Sequence, residues 1–249
     1  MRQEARGPSS RRPSVLVCRA VATLTLLRHG ESLWNRQRRF AGWADVELTA
    51  RGKAEAERAG RLLAARGLAF DVCFSSCLRR AVDTLSIVLD VMNLQQIPVR
   101  QSWQLNERHC GALQGLSVWE AVRRHGLKRV LVSQWGFTEP PPPLNDDEVS
   151  EPERDPRYAA VAGAEPLRGE SLSDVLVRVV PYWRDAIVPE LRQGKQTLVV
   201  AHRNTLRVLV KQIDGLSDRR VARLRIPTGA ALVYQLDEEL RPLRCDLVR

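Results

Sequence analysis

The sequence predicts an α/β fold: a mainly parallel sheet covered by helices on both faces. Two observations carry this. Short apolar runs alternate with helically periodic stretches along most of the chain, and a hydrophobic content of 44% over 249 residues is ample for a packed core. Strands separated by helices favour parallel pairing, because a parallel pair needs a crossover long enough to hold a helix. One large α/β domain is the default at this length.

The elements follow in order. ATLTLLRH, residues 22–29, reads as the first strand, and TARGKAEAERAGRLLAARG as a helix with Thr49 at its N-cap and Gly67 as its stop. FDVCFSS is a second strand, followed by the helical LRRAVDTLSIVLDVM. After IPVRQSW the chain is irregular, with a helix at VWEAVRRHG and a long polar stretch from Phe137 to Gly163. Four consecutive prolines mark that stretch as a loop or lid. SLSDVLVRVVPYWRDAIVPELRQG reads as one helix, then come the strand QTLVVAH, the helix NTLRVLVKQIDG and a last strand near ALVYQLD.

Residues 1–22 hold five arginines against one acid, a composition similar to a transit peptide, although a disordered basic extension or an early start codon is the preferred reading. Residues 23–249 then form the catalytic domain. The net charge is +10, and 35 of the 39 basic residues are arginine, a bias that suits phosphate or carboxylate recognition but equally reflects genome composition. Cys18, Cys73, Cys77, Cys110 and Cys245 form an odd set without a CxxC pair, so buried thiols in a reducing cytoplasm are expected. No run is long and apolar enough for a membrane span, and aromatic content is too low for a nucleic-acid stacking platform. Neither a phosphate-binding glycine loop nor a metal-ligand motif is present, and the acidic run NDDEVSEPERD reads as solvated loop.

Two of the four histidines occupy matching places: His29 ends the strand TLTLLRH and His202 ends TLVVAH. In parallel sheets ligands bind at the carboxyl ends of the strands. Arg28 precedes His29, and Arg80 opens the helix after FSSCL. Two imidazoles and two guanidiniums at one edge would build a pocket for a phosphoryl group. A neutral imidazole can attack phosphorus, arginines neutralise the equatorial oxygens, and a carboxyl group must serve the leaving oxygen. Glu107, in LNERHCG, is the best-placed carboxyl group by context. His109 reads as a local hydrogen-bonding residue and His125 as a helix surface residue.

In order, LLRHGESLWN, FAGWADVELTARG, SSCLRRA, LNERHCGALQGL, DPRY, AHRNTLRVLVK and IPTGAALVYQLD resemble the segments of cofactor-dependent phosphoglycerate mutases, a branch of the histidine phosphatase superfamily. The resemblance spans Thr23 to Leu243. It implies a three-layer α/β/α sandwich and a phosphohistidine mechanism without metal. His29 resembles the phosphorylated nucleophile, Arg28, Arg80 and His202 the phosphate clamp, and Glu107 the proton donor. Ser32 and Asn35 match residues beside the phosphate. The resemblance further implies interconversion of 3- and 2-phosphoglycerate, 2,3-bisphosphoglycerate as intermediate and priming donor, and a homodimer or homotetramer.

The match weakens at the substrate-holding positions. Where the family reads Asn-Lys after LQGL, this chain has Ser117 and Val118, and where it places two adjacent arginines, Gln134 and Trp135 stand. Ala41 replaces a threonine before Gly42, Cys110 replaces a tyrosine after Arg108 and His109, and Arg203 replaces a glycine before Asn204. Each lost charge-assisted hydrogen bond removes about 1.5–3 kcal/mol of binding. Arg203 and the stretch RRHGLKR are the candidates to restore cations. Three readings follow: a phosphoglycerate mutase, a histidine-type phosphomonoesterase of altered specificity acting on a small anionic phosphate, and a non-enzymatic paralogue with a vestigial pocket.

Overall fold

The computed structural model describes residues 21–145, 158 and 167–249. The extension through residue 20, Cys18, and the acidic run with Asp155–Arg157 of DPRY lie outside the described residues. The first strand, β1, spans Ala22–Arg28, so Ala22 belongs to the fold and not to the extension. Ser32 caps the short α1 (Leu33–Arg36), and Thr49 caps α2 (Ala50–Ala64) by accepting from the Gly52 amide. There follow β2 (Val72–Ser75), α3 (Arg79–Met92) and β3 (Val99–Gln101). The two helices α4 (Val118–His125) and α5 (Leu127–Trp135) form a hairpin about Gly126.

The stretch read as one helix is interrupted. After α6 (Leu172–Tyr182) the backbone widens into a π-type turn at Trp183–Ile187 before α7 (Val188–Arg192). Pro181 and Pro189 bracket this turn, and each removes an amide donor that a regular helix would use. Then come β4 (Thr197–Ala201), α8 (Arg203–Asp214), α9 (Asp218–Arg223), β5 (Ala231–Leu236) and β6 (Pro242–Val248).

The six strands form one sheet in the order β3-β2-β4-β1-β5-β6. The first four are mutually parallel, β5 adds antiparallel to β1, and β6 adds antiparallel to β5. The period-2 alternation of the strands sends Leu24, Leu26, Phe74 and Val199 to a core with α6 and α8. Leu27, Cys73, Leu198 and Val200 enter the opposite core with α2 and α3. The expected helix-covered, mainly parallel sheet is therefore the observed one. Cys73, Cys77 and Cys110 are buried as expected, but Cys245 lies on the edge strand β6 and is exposed. Among the described residues no helix is long and apolar enough to cross a membrane.

Candidate active site

The register of the central strands builds the site. Arg28 pairs with Ala201 across β1 and β4, so the next residue of each strand, His29 and His202, emerges at the same sheet edge. Their ring centroids are 5.0 Å apart. Both imidazoles are buried, and burial together with the charges of Arg80 and Arg28 holds each well below the usual histidine range.

Proton positions follow from the partners. His29 Nδ1 lies 2.7 Å from the carbonyl oxygen of Gly30, which can only accept, so Nδ1 carries the proton and Nε2 keeps its lone pair. Gly30 is needed there because a Cβ would stand 2.1 Å from the carbonyl oxygen of Gly52. Its own amide donates to Thr84 Oγ1 at 3.0 Å.

Arg80, in the first turn of α3, is buried and donates to the carbonyls of Ala44 and Gly42, each at 2.8 Å. Gly42 has φ of +49°, and a Cβ would meet Gln114 Oε1 at 2.5 Å, so the turn that presents its carbonyl to Arg80 requires glycine. Arg28 donates to the Ile226 carbonyl at 2.7 Å, while its Nε is buried without a partner among the described residues. Burial, and secondly the charge of Arg203, push the Arg28 guanidinium down to about 10. Glu107 Oε1 accepts from the amides of Arg108 at 2.8 Å and Asn204 at 3.2 Å, which fixes the carboxylate against the start of α8.

Beside this cluster opens a cavity of about 280 Å³. Of the expected residues, Arg28, Asn35, Ala41, Gly42, Glu107 and Arg108 line it, as do Cys110, Val118, Gln134, Arg203 and Asn204. The buried His29, Arg80 and His202 lie behind its wall and are not among the lining residues, and neither are Ser32, His109 and Trp135. Ser32 is spent on capping α1. His109 accepts from the Gly111 amide and packs its ring edge-on to Trp43, so its role is local. Trp135 turns away from the cavity, and its ring faces the guanidinium of Arg207 at 6.0 Å. RRHGLKR contributes nothing to the wall either, since Arg123 lies over Trp119 and Lys128 and Arg129 line a separate depression at the hairpin tip. The cations around the mouth come instead from Arg38, Arg39 and Arg203.

Several residues escaped the sequence reading. Ser76 Oγ lies 2.7 Å from His202 Nε2 and ends β2 as the histidines end β1 and β4; the same strand-end argument would have found it. Arg207 is buried on α8, donates to Asn204 Oδ1 at 3.1 Å, and is pushed down to about 9 by burial and by Arg203. Arg178 forms a buried pair with Glu170 at 2.6 Å and donates to the carbonyls of Gln104, Asn106 and Glu107. No local pattern marks either arginine. Among the described residues no group of three or more His, Cys, Asp or Glu is placed to hold a metal ion.

Solved structures share this fold. A mycobacterial glucosyl-3-phosphoglycerate phosphatase, in a complex with VO3, superposes with a TM-score of 0.68 at 23% identity, over 92% of this chain and 98% of that one. The alpha-ribazole phosphatase from Shigella flexneri gives 0.64 at 24% identity, over 89% and 94% of the two chains. YhfR from Bacillus stearothermophilus gives 0.65 at 24% identity, over 87% and 92%. The family model of the histidine phosphatase superfamily (branch 1) matches residues 24–151 and 144–244, and the chain belongs to that superfamily.

Proposed function

We propose that the protein is a phosphomonoesterase that hydrolyses a small anionic phosphate ester through a phosphohistidine on His29. The observation that carries this reading is the Nδ1 contact of His29 with the Gly30 carbonyl, which leaves a neutral Nε2 as nucleophile beside Arg28 and Arg80. In the first step Nε2 bonds to phosphorus, the ester P–O bond breaks, and the departing oxygen takes a proton from Glu107. In the second, water loses a proton to Glu107 and attacks phosphorus, the P–N bond breaks, and inorganic phosphate leaves. Arg28, Arg80 and His202 hold the equatorial oxygens through both steps. The reaction runs in the cytoplasm on this reading.

Hydrolysis is favoured over transfer because Val118 and Gln134 stand in the wall where the mutases carry cations. A second reading, a mutase primed by 2,3-bisphosphoglycerate, is favoured by the surplus of guanidiniums at the mouth, Arg38, Arg39 and Arg203. A phosphorus NMR time course with 3-phosphoglycerate, with and without a trace of 2,3-bisphosphoglycerate, separates the two. Free phosphate released by the wild type and not by His29→Ala is the expected result. Formation of 2-phosphoglycerate would replace hydrolysis by the mutase reading.

A further inference from the structure

The cavity holds more positive charge than one phosphoryl group needs. Arg28 and Arg80 sit with the histidines, and among the described residues Arg39 is paired with Glu120 at 3.1 Å while Arg108 is tied to the carbonyls of Ser133 and Glu170. Arg38 and Arg203 lack such partners among the described residues, and Arg38 is exposed at the rim, so Arg203 is the unpaired guanidinium set deeper in the wall. It lines the cavity half-buried, as the first residue of α8, and its guanidinium has no hydrogen bond or ion pair among the described residues. It stands close enough to Arg28 and Arg207 to disfavour the charge on both, and Glu107, the one carboxylate in the cavity wall among the described residues, is already bonded to two amides. Three neighbouring guanidiniums sharing one carboxylate is an arrangement that an incoming anion relieves.

Nothing in the backbone calls for the glycine that the mutases carry at this position. Residue 203 has ordinary helical geometry and is absent from the positive-φ positions, so the arginine is accommodated without strain and projects a charge into the mouth. We propose that Arg203 forms a second anion subsite, so that the preferred substrate is a phosphomonoester carrying a further carboxylate or phosphate on its alcohol portion. This rests on the proposed phosphomonoesterase site. Asn204 completes the subsite: Arg207 occupies its Oδ1, which leaves the amide NH2 as a donor in the cavity wall.

The test uses inert probes on the full chain, so that turnover is not needed. Calorimetric affinities are measured for methylphosphonate, phosphonoacetate and 3-phosphonopropionate, the last two adding a carboxylate at two reaches. The wild type is expected to bind at least one carboxylated probe about ten- to a hundredfold more tightly than methylphosphonate, the range of one or two charge-assisted contacts. Arg203→Ala should bring that ratio to within about twofold of unity, and Arg203→Lys should keep most of it. Absence of preference in the wild type, or a preference that survives Arg203→Ala, overturns the subsite while leaving the phosphoryl site standing. Failure of all three probes to bind overturns the phosphoryl site as well.

Discussion

Ser76 Oγ lies 2.7 Å from Nε2 of His202, and the same oxygen accepts the Leu78 amide at 3.2 Å. The hydroxyl can donate its proton to Nε2, and in that tautomer the imidazole proton sits on Nδ1. That nitrogen is buried and has no partner among the described residues. A buried donor without an acceptor costs about 1–3 kcal/mol, a cost that a bound phosphoryl oxygen removes. Ser76→Ala should therefore lower kcat/KM for a phosphate ester by about tenfold or more, by freeing the tautomer. Steady-state kinetics check it, and an unchanged kcat/KM would separate Ser76 from the site.

Glu107 is held by two backbone amides, and both bonds survive in Glu107→Gln because an amide oxygen accepts equally well. The fold should persist while the proton carrier is lost. Hydrolysis of an alkyl phosphate is expected to fall by about a hundred- to ten-thousandfold. With p-nitrophenyl phosphate, whose leaving group needs little protonation, the loss in phosphohistidine formation should be much smaller. Equal losses for both esters in single-turnover measurements would argue against proton transfer by Glu107.

Stability should fall as the solution is acidified. Burial holds His29 and His202 well below 6.5 in the fold, and His109 down to about 4. Below pH 6.5 the unfolded chain therefore binds protons that the folded chain resists, so the free energy of unfolding rises with pH in this window. Each histidine contributes a slope of up to about 1.4 kcal/mol per pH unit. Urea unfolding between pH 7 and pH 4.5 measures the sum. His109→Asn keeps an acceptor for the Gly111 amide and should make the slope shallower.

Arg178 holds the segment that carries Glu107 by donating to three of its carbonyl groups, those of Gln104, Asn106 and Glu107, while pairing with Glu170. Arg178→Ala leaves a buried carboxylate unpaired and should destabilise the protein by about 3–5 kcal/mol. Activity should fall with it, because the Glu107 backbone loses its anchor. Thermal unfolding and kinetics on the folded fraction test both parts.

Much of this site was legible in the sequence because strand ends are legible. The apolar runs before His29 and His202 end at those residues, and parallel pairing then forces the rings together. Arg80 and Glu107 were legible through their neighbouring segments. Arg207 and Arg178 were not, because a buried arginine inside a helix looks like any exposed one until its carbonyl partners are known. Trp135 was misplaced for a related reason. Its position in the chain suggested the cavity, but as the last residue of α5 it sits with its ring against the Arg207 guanidinium and does not line the wall. The edge strand β6 escaped because it begins at Pro242 and is exposed along most of its length, which removes the apolar signal.

The central claim is that His29 Nε2 takes the phosphoryl group. Protein mixed with a labelled phosphomonoester and quenched in alkali within the first turnover should carry label that is stable to base and labile to acid, as a phosphoramidate is. The label should map to His29 and be missing in His29→Ala, together with phosphate release. Release of phosphate by His29→Ala at the wild-type rate, or label on another residue, would contradict the account.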